Sequence, residues 1–289
     1  MSDNLTLRHG PCEVELGSVG AEMMAWRVGG RDLLWDGDAR FWARRSPILF
    51  PLCGWTNGLT LRAKGRAAQV DTHGFGRSTV FDLARTGDAS ARFSLSETAA
   101  TLAEFPYRFD LTVDVALSDS GVAFDFAVHN PGDEVLPFAL GYHPGFRWPF
   151  DGGDKADYRI VFDAAERPAV PLIAPGGLFT DRTVDVPMTG RKLSPAEGLG
   201  VQDSLFIRDS ASAGLDFVAP SGARIRVETE GFPHWVLWSK PGGDYYCIER
   251  WSGEGDPVGF AGDITEKPGQ TLLAPGETQR SRFACSFSA

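Results

Sequence analysis

Hydrophobic and polar residues alternate with a period of two along much of the chain. The clearest runs cover residues 111–117 and 122–128, and the turn Asp119-Ser120-Gly121 joins them. Side chains of a strand point alternately to its two sides, so two such runs around a short glycine-containing turn predict an antiparallel hairpin with one buried face.

Shorter runs of the same kind recur, with glycine and proline turn markers between them. The 34 glycines and 19 prolines are spread evenly, and no amphipathic helix longer than about three turns is evident. Strands do not alternate with helical patterns, which disfavours a doubly wound α/β fold. We therefore predict an all-β protein in which residues 1–289 form a single large antiparallel β-sandwich. The further runs lie at 5–7, 13–16, 93–96, 159–162, 223–229, 235–238 and 245–248.

Composition and charge narrow the classes of partner. A net charge of −10 and a pI near 5.0 argue against nucleic acid or an anionic membrane as the main partner. The N-terminus lacks the pattern of a signal peptide, and no apolar run approaches the roughly 20 residues of a membrane span. The four cysteines are widely scattered, which indicates reduced thiols and a cytoplasmic protein.

A constrained histidine lies in the segment 141–146, which reads Gly-Tyr-His-Pro-Gly-Phe. A residue before proline favours extended backbone angles, so His143 leaves a rigid, non-helical backbone. Glycines on both sides let a ligand approach closely. These constraints suit an acid that must point at one oxygen atom, and a hydrogen-bonded histidine at a strand end fits the local sequence equally well.

A carboxylate lies among aromatic residues in the segment 245–251, which reads Tyr-Tyr-Cys-Ile-Glu-Arg-Trp. Period two puts Tyr245, Cys247, Glu249 and Trp251 on one face. A carboxylate in such surroundings is either costly to bury or useful for catalysis, whereas on an exposed sheet face it would be ordinary. An acid and a base brought together from distant positions are what a proton-transfer enzyme without a cofactor needs.

A second histidine lies in the segment 72–77, which reads Thr-His-Gly-Phe-Gly-Arg. His73 is either a functional residue or a loop histidine, and a metal site built from His73 and His143 is a further alternative without an obvious carboxylate nearby. The chain lacks a Gly-x-Ser-x-Gly elbow, a Walker loop, a dinucleotide-binding Gly-x-Gly-x-x-Gly and His-Glu-x-x-His. The sequence therefore disfavours a serine hydrolase, a nucleotide-binding enzyme and a zinc protease.

These three segments, in this order, resemble the aldose 1-epimerase (galactose mutarotase-like) family, and residues 263–267 and 273–277 are similar to its closing segment. The resemblance implies a β-sandwich of the supersandwich type and a cofactor-independent isomerase that interconverts the α and β anomers of an aldose. By motif, Glu249 is expected to be the general base, His143 the general acid of the ring oxygen, and His73 a sugar ligand. No metal is required, and the expected partner is a small sugar bound by a monomer or homodimer.

Departures from the family pattern leave the substrate open. Trp55 follows Cys-Gly where relatives often carry arginine, and Asp203 is the nearest match to an expected sugar-binding aspartate. Trp55, Asp203, Arg77 and Arg250 are therefore expected to bind substrate. If Arg77 and Arg250 converge with Arg147, they would suit a phosphorylated or sulfonated hexose.

Two further functions remain open at this stage. One is a non-catalytic sugar-binding or sensing protein, which would need no matched acid and base. The other is a glycoside hydrolase or lyase module, for which hydrolysis would require two carboxylates flanking the bond, and the sequence places one.

Overall fold

The computed structural model describes residues 4–289, and most of its regular structure is extended. Residues 1–3, on which part of the signal-peptide prediction rests, lie outside the described residues. Its α-helices are short, α1 at Ala99–Glu104 and α2 at Pro195–Leu199, in line with the lack of helical periodicity. No helix within residues 4–289 is long and apolar enough to cross a membrane. Single 3₁₀ turns occupy Asn57–Leu59, Gly76–Ser78, Lys155–Asp157 and Ile264–Glu266.

The strands of the described residues are numbered here in chain order. They are β1 (Asn4–His9), β2 (Cys12–Gly17), β3 (Glu22–Val28), β4 (Arg31–Asp32), β5 (Ile48–Leu49), β6 (Thr60–Ala63), β7 (Arg66–Gln69), β8 (Asp82–Gly87), β9 (Ser90–Ser96), β10 (Asp110–Leu117), β11 (Gly121–His129), β12 (Leu136–Phe138), β13 (Gly141–Tyr142), β14 (Gly145–Arg147), β15 (Arg159–Phe162), β16 (Ala169–Ala174), β17 (Leu178–Asp185), β18 (Met188–Thr189), β19 (Lys192–Leu193), β20 (Ser204–Ile207), β21 (Gly214–Val218), β22 (Arg224–Glu230), β23 (His234–Trp238), β24 (Tyr245–Trp251), β25 (Thr271–Leu273) and β26 (Thr278–Ser288).

The larger sheet has ten antiparallel strands in the order β18-β19-β15-β21-β22-β26-β11-β10-β9-β8. It contains the hairpin predicted from alternation, in which Asp110 pairs with His129 and Leu117 pairs with Val122. The long strand β26 pairs with β11 on one side and with β22 on the other, so the last strand of the chain joins the two halves of the sheet.

The smaller sheet follows the order β20-β23-β24-β13-β5, and β14 also pairs with β24. The two sheets pack face to face through aromatic side chains. Phe124 and Phe283 of the larger sheet lie against Tyr142 of the smaller one, with ring centroids 4.7 and 5.0 Å apart, and Phe217 lies 5.7 Å from Tyr246. The structure confirms the predicted large antiparallel β-sandwich.

The side chains of strand β24 point alternately to the two faces of the smaller sheet. Tyr246 and Ile248 point into the core between the sheets, whereas Cys247 and Glu249 point to the opposite side. That opposite side is covered by loops and by the hairpin β16–β17, and it carries a cleft.

Candidate active site

Glu249 occupies the middle of β24 and is 1 % exposed. Its carboxylate Oε2 accepts a hydrogen bond of 2.8 Å from Nε1 of Trp251, two residues further along the same face of the strand. Burial raises the pKa of Glu249 well above its ordinary value, and the indole N–H partly opposes that rise by stabilising the charged form.

His143 reaches Glu249 through the pairing of β24 with the two short strands that flank the His-Pro step. Gly141 pairs with Trp251 and Gly145 pairs with Cys247, so the register that continues between them places residue 143 opposite residue 249. Nε2 of His143 lies 3.2 Å from Oε1 of Glu249. An acid and a base more than a hundred residues apart in sequence therefore meet within hydrogen-bonding distance.

Burial acts on both members of this pair by penalising their charged forms. It lowers the pKa of His143 to about 3, although the histidine's own backbone carbonyl opposes the shift, and it raises the pKa of Glu249. Both shifts favour the form in which the imidazole is neutral and the proton is on the Glu249 carboxyl. Two groups within hydrogen-bonding distance that compete for one proton are what an acid–base relay needs.

His73 is fixed by reciprocal hydrogen bonds to Gly54. The Gly54 N–H donates to Nδ1 of His73 over 3.0 Å, and the His73 N–H donates to the Gly54 carbonyl over 2.9 Å. Burial lowers the pKa of His73 well below its ordinary value, so the ring is neutral. Because Nδ1 accepts, the proton is on Nε2, which is left as a donor.

The backbone of His73 is strained, with φ at 67°. A non-glycine residue in this region costs on the order of 1–3 kcal/mol and persists where the surroundings over-determine it. The ring lies edge-on to His143 and Trp251, with centroids 5.7 and 5.3 Å away. The three motifs predicted from sequence therefore converge on one place.

The cleft over these groups has a volume of about 840 Å³. Its walls are rich in tryptophan, and Trp42 stacks on the imidazole of His143 with centroids 4.8 Å apart. The lining residues are Trp42, Pro47, Gly54, Trp55, Asp71, Thr72, His73, Arg77, His143, Ile173, Ala174, Pro175, Gly176, Gly177, Phe179, Gln202, Asp203, Ser204, Phe206, Val236, Trp238, Glu249 and Trp251.

Three of the residues expected to bind substrate line this cleft. Trp55 is 40 % exposed, Asp203 lies just before β20 with an exposed side chain, and Arg77 is ion-paired with Asp71 over 2.8 Å. Their roles stay predictions, while their positions are compatible with substrate contact.

The prediction that Arg250 contacts substrate is wrong. Its guanidinium is buried away from the cleft, donates to the Phe232 carbonyl and to Oγ of Ser210, and lies over the Trp235 ring. The alternation that turns Glu249 to the cleft necessarily turns its neighbour away. Arg147 pairs with Asp36 over 3.5 Å and does not line the cleft either, so the expected cluster of three arginines does not form.

Sequence reasoning missed Trp42, which packs on the general-acid candidate from an irregular segment without any strand pattern. It also missed Gly54 as the residue that holds His73. The Pro-Gly-Gly sequence at 175–177 indicates a turn, and the structure shows that this hairpin tip is also a wall of the cleft. By contrast, the period-two alternation predicts that Trp251 and Glu249 lie on the same face of the strand, and the structure shows them in contact.

One group of buried side chains beside the cleft has the atom types that ligate metal ions. Atoms of His143, Cys247 and Glu249 lie within 4.8 Å of one another. Burial raises the pKa of Cys247 well above its ordinary value, and the neutral thiol is a poor metal ligand. His143 and Glu249 already contact each other, so the arrangement suits proton transfer better than metal binding.

Comparison with known proteins agrees with the fold. The family model described as aldose 1-epimerase matches residues 3–286. The chain belongs to the aldose 1-epimerase family.

Particular relatives are distant in sequence and close in structure. The chain is 27 % and 28 % identical over 271 residues to the plasmid and chromosomal LacX proteins of Lactococcus lactis subsp. lactis, covering 88 % of this chain and 89 % of each relative. A galactose mutarotase-like protein from Lactobacillus casei superimposes with a TM-score of 0.91 at 25 % identity, covering 99 % of this chain and all of that one. A galactose mutarotase related enzyme from Lactobacillus acidophilus gives 0.88 at 25 % identity, with 99 % and 98 % covered.

Proposed function

We propose that the protein interconverts the α and β anomers of an aldose by general acid–base ring opening and closure. The observation that carries the proposal is the 3.2 Å contact between Nε2 of His143 and Oε1 of Glu249 in the cleft. Membership of the aldose 1-epimerase family supports a sugar isomerase as the class of enzyme.

Ring opening moves two protons. The Glu249 carboxylate takes the proton of the C1 hydroxyl, and the electrons of that O–H bond form the C1 carbonyl. The bond between C1 and the ring oxygen breaks, and the ring oxygen takes the proton of the His143 imidazolium. Rotation about C1–C2 then presents the other carbonyl face, and closure reverses both transfers.

The proton count of the His143–Glu249 pair is the same before and after opening. The pair carries a proton on the imidazole before opening and, after the imidazole has given that proton to the ring oxygen, a proton from the C1 hydroxyl on the carboxyl, which is the form that burial favours. Sugar hydroxyls and the Trp251 indole stabilise the charged form that starts the reaction. General acid and base catalysis each typically give 10²–10⁴-fold, so together they remove roughly 5–11 kcal/mol from the barrier.

His73 orients the sugar in this scheme. Its Nε2–H is a fixed donor, because Nδ1 is held by the Gly54 N–H. A neutral donor binds a sugar oxygen without competing for the proton in transfer, and the low pKa of His73 keeps it neutral.

The charges along the cleft favour an uncharged sugar over an anionic one. Arg77 is paired with Asp71, and Asp203 adds a further carboxylate to the wall. The absence of Arg147 and Arg250 from the lining removes the main support for a phosphorylated or sulfonated hexose.

The experiment is anomer exchange measured by NMR at equilibrium with glucose, galactose and glucose 6-phosphate. We expect accelerated exchange of a neutral sugar, lost in His143→Ala and in Glu249→Gln and kept in His129→Ala, which alters a histidine outside the cleft. No acceleration by the folded protein on any of the three sugars contradicts the proposal. Binding without turnover would instead support the non-catalytic sugar-binding function, and turnover of the phosphorylated sugar alone would restore the anionic substrate.

A further inference from the structure

The imidazole of His143 is supported by the segment 42–47, which leads into β5. The His143 N–H donates to the Pro47 carbonyl over 3.2 Å. The indole of Trp42 stacks on the imidazole, with centroids 4.8 Å apart and 30° between the ring planes. The segment therefore holds both the backbone and the ring plane of the residue proposed as the general acid.

This supporting segment belongs to no helix or strand, so its own position depends on individual contacts with its surroundings. Two of these contacts come from its first half. Nε1 of Trp35 donates to the Trp42 carbonyl over 2.8 Å, and the guanidinium of Arg44 donates to Oγ of Ser78 over 3.0 Å. The second half, which contacts the backbone around His143, is held from another direction.

Glu22, the first residue of β3, holds that second half. Its Oε1 accepts the backbone N–H groups of Arg45 and Ser46, the latter over 3.0 Å. Oγ of Ser46 also accepts the Met23 N–H over 2.8 Å and donates to the Met23 carbonyl over 2.9 Å. The carbonyl of Arg45 in turn accepts the Gly145 N–H over 2.7 Å. Two consecutive residues of β3 are thus linked to the His-Pro step through the segment.

A carboxylate at this place is costly, which indicates that its hydrogen bonds matter. Glu22 is only 5 % exposed, and burial raises its pKa, although the N–H groups of Arg45 and Ser46 oppose the rise. The residue lies outside the cleft and takes no part in the proposed proton transfers. Any effect of Glu22 on the reaction must therefore pass through the segment that it holds.

We propose that Glu22 is a positioning residue that, through this segment, keeps the imidazole of His143 aligned with Glu249. The proposal rests on the proposed mutarotase function and deepens it, because it names what sets the orientation of the general acid. A reacting group misplaced by about 1 Å can cost about 100-fold in rate, so a residue without sugar contact can affect kcat.

The first test compares the kinetics of three variants. Glu22→Ala should lower kcat about 10- to 100-fold and change KM less than about threefold, because His143 acts in the transition state and other residues hold the sugar. Glu22→Gln should keep most of kcat, since its Oε1 can accept the same two N–H groups. Glu166→Ala is the matched control and should leave kcat unchanged, since Glu166 likewise accepts two consecutive backbone N–H groups, of Ala211 and Ser212, but outside the cleft.

The second test is proton NMR of His143, which does not depend on turnover. The stacked indole of Trp42 should shift the ring protons of His143 to higher field, and Trp42→Ala supplies the unstacked reference. We expect Glu22→Ala to lose most of this shift, and Glu22→Gln and Glu166→Ala to keep it. If the wild type turns over no sugar, the proposed function fails, and this shift still decides the role of Glu22.

Three results overturn the positioning role. One is an unchanged His143 shift in Glu22→Ala, whatever happens to kcat. Another is an equal loss of kcat in Glu22→Ala and Glu166→Ala, which would reflect a general loss of stability. The third is a loss in Glu22→Gln as large as that in Glu22→Ala. If Glu22→Ala does not fold, Glu22→Asp takes its place with the same expectations, because it keeps the charge and its side chain is one methylene shorter.

Discussion

His143 lies opposite Glu249 in the antiparallel register that joins Gly141–Tyr142 and Gly145–Arg147 to β24. The contact of 3.2 Å between their side chains is thus set by backbone pairing and does not depend on a flexible loop. Groups held in this way should behave as one functional unit.

Combining His143→Ala with Glu249→Gln should cost little more activity than the worse single change. Each single variant is expected to lose about 10²–10⁴-fold in kcat, and the double variant should match the lower of the two, because either loss already stops the relay. Measured kcat values of the three variants check this. Losses that multiply would show that the two groups act independently.

Trp251→Phe should lower kcat about 10- to 100-fold. The change removes the N–H that donates to Oε2 of Glu249, and a hydrogen bond to a charged group contributes about 1.5–3 kcal/mol. The loss should also raise the pKa of Glu249 further. Trp148→Phe is the matched control, since it truncates a buried indole whose Nε1 has no hydrogen-bond partner. Equal losses of kcat in the two variants would mean that the effect is only packing.

The tautomer of His73 can be observed directly. We expect nitrogen-15 NMR of the imidazole to show a proton on Nε2 and an accepting Nδ1, which persist below the ordinary histidine pKa because burial lowers the pKa of this histidine. Gly54→Ala should disturb this state, since a Cβ there would lie 2.7 Å from the Cα of Gly255. A proton on Nδ1 in the wild type would refute the donor role.

The free energy of unfolding should fall as pH rises above about 6.5, the ordinary pKa of a histidine in the unfolded chain. In the folded protein the His143–Glu249 pair keeps one proton, because the pKa of Glu249 is raised. As pH rises through about 6.5 the unfolded chain loses its remaining proton on these two groups, that of His143, so the folded state comes to bind more protons and loses stability. Urea denaturation across this range measures the slope. Glu249→Gln should abolish it, and an unchanged slope in that variant would contradict the shared proton.

Acid should destabilise the protein through His234. Burial lowers the pKa of this histidine to about 4, and its Nδ1 accepts the Asp209 N–H over 3.0 Å. Between pH 6.5 and 4.5 the unfolded chain therefore binds the extra proton, and stability falls by about 2 kcal/mol from this group. His234→Asn keeps an acceptor and should remove that share of the acid loss. Identical acid profiles for the two proteins would refute the assignment.

The fold could be predicted from sequence because period-two alternation reports directly on buried strand faces. The hairpin β10–β11 was predicted to within a residue or two for this reason. The catalytic candidates could be named from sequence because their motifs are distinctive. Their convergence could not, because it follows from the register that pairs β13 and β14 with β24, and alternation does not specify register. Which strands pair across the chain depends on long-range packing.

The errors and omissions have equally physical causes. Arg250 was assigned to the site by proximity in sequence to Glu249, although neighbours on a strand face opposite ways. Trp42 and the tip residue Gly177 act from segments without regular periodicity, so no pattern marked them. The hydrogen bond from Gly54 to His73 comes from the backbone, which residue identity does not reveal.

The two faces of β24 are subject to different requirements, one from the core of the sandwich and the other from the cleft. Substitutions at Tyr246 or Ile248 change packing in the sandwich interior, whereas those at Glu249 or Trp251 change the lining of the cleft. New substrate preferences can therefore arise by changing the cleft-side residues and the hairpin above them while the folding determinants stay constant. Such a division lets a single scaffold diversify its chemistry without re-evolving its stability.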